Sequence, residues 1–112
     1  MCYFLVDTYI PAGKNHFEKG RGLYDDYIEK VKPIVERYGG MYLLRSEQIE
    51  SLSQKRAPQR VIIIHFPDYE HLQRCFASKE YQEIMAMRTE SVDARALIVR
   101  EEQENEGSSN QN

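Results

Sequence analysis

The chain has no tryptophan and only two cysteines, Cys2 and Cys75. Two cysteines that far apart make neither a disulfide framework nor a metal-ligand spacing. Cys75 falls inside an apolar helical pattern and reads as core. His16, His65 and His71 share no ligand spacing either, so neither a metal site nor a bound cofactor is expected. No apolar run approaches the roughly 20 residues that a membrane-spanning helix needs, and no secretory leader pattern is seen. The expectation is a cytoplasmic protein with no membrane partner. Lysine and arginine are scattered rather than gathered on one stripe, so no nucleic-acid partner is expected. A glycine-rich phosphate loop and a nucleophile motif are both missing, which argues against nucleotide and hydrolase chemistry.

What is present fits one small domain. At 112 residues, such a chain can bury roughly two-thirds of its unfolded surface around a single core. The net charge of −3 is unevenly spread. The stretch "EEQENEGSSNQN" carries Glu101, Glu102, Glu104 and Glu106 and no base. It has too little apolar surface to offset its ordering entropy, so residues 101–112 are expected to be a disordered acidic tail after a domain spanning 1–100. Such a tail serves as a solubilising end or as a binding arm.

Periodicity divides the domain. "CYFLVDTYI" (2–10) is β-branched and aromatic and ends at Pro11 and Gly13, the pattern of a strand. "KNHFEKGRG" is a polar loop. Tyr24, Tyr27, Ile28, Val31, Ile34, Val35 and Tyr38 then recur at three and four, marking one buried helical face. Pro33 interrupts that pattern, so a kink or a frayed turn is expected, and Gly39-Gly40 closes the helix. "MYLLRSEQI" and "RVIIIHF" are the second and third strands. Asp68 and Ser78 read as N-caps of two successive helical stretches, and "DARALIVR" is the fourth strand. The order β-α-β-β-α-β is the ferredoxin-like split motif, an α+β fold with helices on one face of a four-stranded antiparallel sheet in the order 4-1-3-2.

Alternation sorts each strand into two sets. Cys2, Phe4, Val6, Tyr42, Leu44, Ile62, Ile64, Phe66, Ala94, Ala96 and Ile98 are expected to face the helices. Tyr3, Leu5, Asp7, Tyr9, Met41, Leu43, Arg45, Val61, Ile63, His65, Arg95, Leu97 and Val99 make the other face. That second face is too apolar to be left in water. A second copy of the sheet is the economical cover, giving a homodimer packed face to face as a dimeric α/β barrel. Asp7, Arg45, His65 and Arg95 would then point into a shared interior. Antiparallel pairing brings Asp7 towards Arg95, and towards Arg45 by way of the third strand, while His65 belongs to the opposite end near Tyr3 and Met41.

At this point the residues resemble a family, the domain of unknown function 1330 in the dimeric α/β-barrel superfamily. "YGGMYLLR" (38–45), "APQRVIIIHF" (57–66), "SKEYQEI" (78–84) and Arg88 carry the likeness, which extends over roughly residues 2–100. The resemblance implies the same fold and face-to-face dimer, and no established reaction. Arg60 and Arg88 match family motif positions and are candidate cavity or helix-anchoring residues. His65 departs from the glutamate usual at its position, and Arg56 stands before Pro58 where the family commonly shows tryptophan.

Two functional readings follow. In one, the protein is an enzyme without cofactor that acts on a small anionic organic molecule, a carboxylate or phenolate. His65 and Asp7 would be the catalytic candidates, with Arg45, Arg95, Arg60 and Arg88 for charge and Tyr3 and Tyr9 for apolar walls. In the other, it is a non-catalytic ligand-binding or structural dimer. His65 is then a packed, hydrogen-bonded residue, and Asp7–Arg95 is a plain bridge that offsets the desolvation of its charges.

Overall fold

The computed structural model describes residues 1–10 and 23–102. The 14–22 loop with His16, and the tail from 103 onward, lie outside the described residues. The elements are β1 (Cys2–Tyr9), α1 (Leu23–Arg37), β2 (Met41–Ser46), β3 (Arg60–Phe66), α2 (Tyr69–Ala77), α3 (Lys79–Thr89) and β4 (Asp93–Arg100). The strands form one sheet in the order β2-β3-β1-β4, each neighbour antiparallel. This is the ferredoxin-like α+β arrangement, with its second helix divided in two.

Local chemistry accounts for the divisions. Asp68 caps α2, its Oδ1 accepting from the His71 amide at 2.8 Å and lying 2.7 Å from His71 Nδ1. Ser78 closes α2 and opens α3. Its hydroxyl donates to the Cys75 carbonyl at 2.7 Å and accepts from the Tyr81 amide at 3.1 Å. α1 continues through Pro33 rather than ending there. Its burial pattern explains why: Val31, Ile34 and Val35 all dock in the core, and tertiary packing outweighs one lost backbone bond. The helix stops at Gly39, whose φ of 92° suits glycine. Gly40 is needed for a different reason, since a Cβ there would lie 2.4 Å from Val35 Cγ1.

The core is the contact between the helices and one face of the sheet. Tyr24, Tyr27, Val31, Ile34 and Val35 of α1 meet Ile62, Ile64 and Phe66 of β3, with Leu72, Cys75 and Tyr81 closing the far side. Each such side chain contributes about 1.5–3 kcal/mol by leaving water. β3 alternates as expected: Ile62, Ile64 and Phe66 are buried, while Val61, Ile63 and His65 turn the other way.

Two expectations about the faces need correction. β2 carries a bulge between Tyr42 and Leu44, so Leu44 pairs with Ile63 and Arg45 with Ile62. One extra residue reverses the alternation beyond it. Leu44 therefore belongs to the free face and Arg45 to the helix side, the opposite of their places in an unbroken strand. On β4, Ala96 and Ile98 were expected under the helices, yet both are exposed. α3 is the helix that meets β4, and it does so sparingly.

Candidate functional site

The free face holds Tyr3, Asp7, Tyr9, His65 and Arg95. Asp7 and Arg95 are direct partners in the β1–β4 ladder, yet their side chains do not pair. Asp7 is taken by Arg56, which reaches over from the β2–β3 connection. Arg56 Nε donates to Asp7 Oδ2 at 2.6 Å, and Nη2 donates to Oδ1 at 2.9 Å. This fork matches both carboxylate oxygens. The Asp7 contact holds the Arg56 guanidinium above its ordinary pKa.

Arg95 instead donates to Asp93, two residues back on the same face, at 2.9 and 3.1 Å, and lies 4.5 Å from the centre of the Tyr9 ring. The expected Asp7–Arg95 bridge is thus replaced by two separate pairs. His65 stands opposite Tyr3 and beside Met41 in the ladders, its ring edge-on to Tyr3 at 5.5 Å. It is well separated along the strand from Asp7, as the topology requires. Tyr3 donates to Glu101 at 3.2 Å.

Arg45, Arg60 and Arg88 are on the helix side. Arg45 lies 5.9 Å from the Tyr42 ring centre at the sheet edge. Arg60, opposite Thr8, is mostly covered; it bonds Glu47 and lies 5.5 Å from the Tyr24 ring centre. Arg88, half-buried, reaches inward to the Tyr81 hydroxyl.

There a cavity of about 70 Å³ lies between the sheet and the helices. Ala94 and Ala96 line it, and their small side chains leave space that a larger residue would fill. Because Ala96 is exposed, the cavity opens to solvent on the β4 side. Its walls are mainly apolar, from residues such as Phe4, Ile62 and Phe76.

The polar atoms lining it are few and fall into two hydrogen-bonded groups. The Thr8 and Tyr24 hydroxyls are 3.2 Å apart, and those of Tyr27 and Tyr81 are 3.1 Å apart. Arg88 Nε donates to the Tyr81 hydroxyl at 3.3 Å. Burial, then Tyr81, pushes the Tyr27 phenol far above its ordinary range. Burial likewise pushes Tyr42 up to about 12. For Arg88, burial pulls the guanidinium down, but Tyr81 and Tyr27 outweigh it and hold the pKa above its usual value. Tyr27 reads as core by helical spacing, which hides the hydroxyl it carries inward. The available signal was the choice of tyrosine over phenylalanine at buried positions, since a buried hydroxyl needs a partner.

Among the described residues, no group of three or more histidine, cysteine or carboxylate side chains is placed to hold a metal ion. No described helix is long and apolar enough to cross a membrane.

Several solved structures share the fold. A protein of unknown function from Rhodopseudomonas palustris is 19% identical and superposes with a TM-score of 0.71, covering 89% of this chain and 81% of its own. An uncharacterized NIPSNAP domain protein from Burkholderia xenovorans is 14% identical, with a TM-score of 0.62 and coverage of 90% and 94%. A mutant of SnoaB, a cofactor-independent oxygenase from Streptomyces nogalater, is 9% identical, with a TM-score of 0.61 and coverage of 94% and 96%. At these identities the likeness is one of fold. No protein with a curated description matches the chain. The domain of unknown function DUF1330 matches residues 18–102, and the chain belongs to that family.

Proposed function

We propose that this DUF1330 member is a cytoplasmic homodimer that admits a small anionic organic molecule between its helices and its sheet and acts on it without a bound cofactor. The observation that carries this reading is the helix-side cavity, where apolar walls surround two phenols and an arginine, the usual mix of a small-molecule site. Its size limits the guest. A cavity of about 150 Å³ holds benzene, and this one is about 70 Å³, so the ligand is a molecule of a few heavy atoms or one whose remainder projects past Ala96. The cofactor-independent oxygenase among the structural relatives supports the enzyme reading by analogy of fold only.

The dimer rests on the free face, where Met41, Leu43, Leu97 and Val99 are all exposed. An apolar surface of this kind is unusual on a monomer, and a two-fold copy would cover it. Asp7 and Arg95 on that face are already paired within the chain, which favours the helix side for the ligand. The same pairing favours a second reading, in which the sheet interface is purely structural and the cavity binds without turnover.

A thermal-shift screen of small organic acids tests the site. A ligand at about 100 times its dissociation constant adds roughly 2.7 kcal/mol, a shift on the order of 10 °C in a domain of this size. Hits are expected to vanish in Ala96→Leu, which fills the cavity mouth. Hits that survive Ala96→Leu and vanish in Arg95→Ala would move the site to the free face. Incubating each hit with the protein and following its consumption separates turnover from binding.

A further inference from the structure

We propose that the Tyr27–Tyr81 pair, backed by Arg88, is the docking point for a ligand oxyanion, with the Tyr27 hydroxyl making the hydrogen bond that holds it. This rests on the reading of the helix-side cavity as the ligand site.

The first argument counts hydrogens. Two phenols bring two hydroxyl hydrogens, and each oxygen also accepts. The contact between them uses one hydrogen. Arg88 lies near both hydroxyls, but its Nε bond goes to Tyr81, which polarises that hydroxyl most and makes it the better donor of the two. With Tyr81 as the donor to Tyr27, the Tyr27 hydrogen is the one left over. No acceptor for it exists among the described residues, although Tyr27 is only 7% exposed and Tyr81 4%. Both line the cavity, so the spare hydrogen is directed at whatever occupies it.

The second argument is charge. Arg88 is half-buried, and among the described residues no carboxylate lies within ion-pair distance of it. Buried cations are normally paired. Arg45, Arg60 and Arg95 each have a carboxylate or a ring beside them at the surface, whereas Arg88 touches only phenol oxygens. An anion in the cavity would supply the missing counter-charge through the phenol relay. A cationic guest would meet Arg88 unfavourably, and a neutral one would gain the hydrogen bond without the charge. The class is thus a small carboxylate or enolate with a short apolar tail that lies along the Phe4 and Phe76 side.

Titration with propionate and with propionamide, its uncharged counterpart, tests this, with xenon as a probe of the empty space. The wild-type protein is expected to prefer propionate by about tenfold or more, the worth of one hydrogen bond to a charged group. Tyr27→Phe keeps the ring and removes the donor, so propionate should weaken about tenfold while the melting temperature stays within a few degrees. Should that variant fail to fold, Tyr81→Phe leaves the Tyr27 donor but cuts it off from Arg88, and is expected to weaken propionate severalfold while the preference over propionamide shrinks. Arg88→Gln should abolish the preference for the acid. Equal binding of acid and amide, or unchanged propionate affinity in Tyr27→Phe, overturns the oxyanion site. Xenon binding in a protein that ignores propionate overturns it while sparing the cavity. Loss of xenon as well overturns both.

Discussion

One sheet presents two faces, and they solve opposite problems. The helix face is apolar almost everywhere yet contains two hydrogen-bonded polar groups, Thr8–Tyr24 and Tyr27–Tyr81–Arg88, beside a small void. The free face is also mostly apolar, but it is exposed, and its charges are cancelled in place by Arg56 and Asp93. Buried hydroxyls kept protonated, with an arginine lacking a carboxylate, make a site that waits for a partner molecule. Exposed apolar side chains with neutralised charges make a surface that waits for a partner surface. On the proposed reading, ligand recognition belongs to one side of a single sheet and association to the other.

Substitutions can break this contrast. Phe66→Ala removes a fully buried ring from the helix face and should cost about 3–5 kcal/mol in urea unfolding, independent of protein concentration. A concentration-dependent loss would instead link the core to assembly. Ile63→Asp, on the free face, places a charge in the proposed interface and should weaken association by at least about 2 kcal/mol. Light scattering across a dilution series reads this as conversion to monomer. A wild-type protein that is already monomeric at micromolar concentration would remove the association role altogether.

Alkaline pH acts mainly on the helix face, where the phenols are buried. Tyr42 is raised from 10.0 to about 12, so the folded state holds its proton more tightly than the unfolded chain does. Stability from this group is complete below about pH 10 and is lost as pH climbs towards 12, a change on the order of 2 kcal/mol. Tyr27 adds to it in the same direction. A urea midpoint that stays level through that window would show the phenols to be freely ionising. The smallest effect belongs to Asp7→Asn, which releases Arg56 into water. With Arg56 itself 58% exposed, the pair is screened by solvent and the expected loss is no more than a small drop in melting temperature.

Much of this architecture is legible in the sequence because it follows from periods. The alternation of "RVIIIHF" and the three-four spacing from Tyr24 to Tyr38 report burial directly, and antiparallel order then places His65 beside Tyr3 and far from Asp7. Ser78 announces the break between α2 and α3 because a cap is a local hydrogen-bonding event. The bulge in β2 is not announced: no glycine or proline marks it, and a one-residue slip leaves "MYLLRS" equally apolar in either register. Arg56 stands out in the sequence as a departure from the family but not as Asp7's partner, since a loop's path is set by tertiary contacts. The polar centre was hidden in plain periodicity, because tyrosine satisfies the apolar pattern while carrying a hydroxyl into it.

The bulge at Leu43 also has a consequence for symmetry. On a face that meets its own copy across a two-fold axis, every charge is present twice. An unbroken β2 would turn Arg45 towards that axis, so a pair would bring two additional cations to a surface with no spare carboxylate to receive them. By rotating the end of the strand through one residue, the bulge puts leucine on the shared face and sends the cation to the rim. Deleting Leu43 would therefore act less like a shortened strand than like a charge mutation, and its effect on association would fade as salt rises.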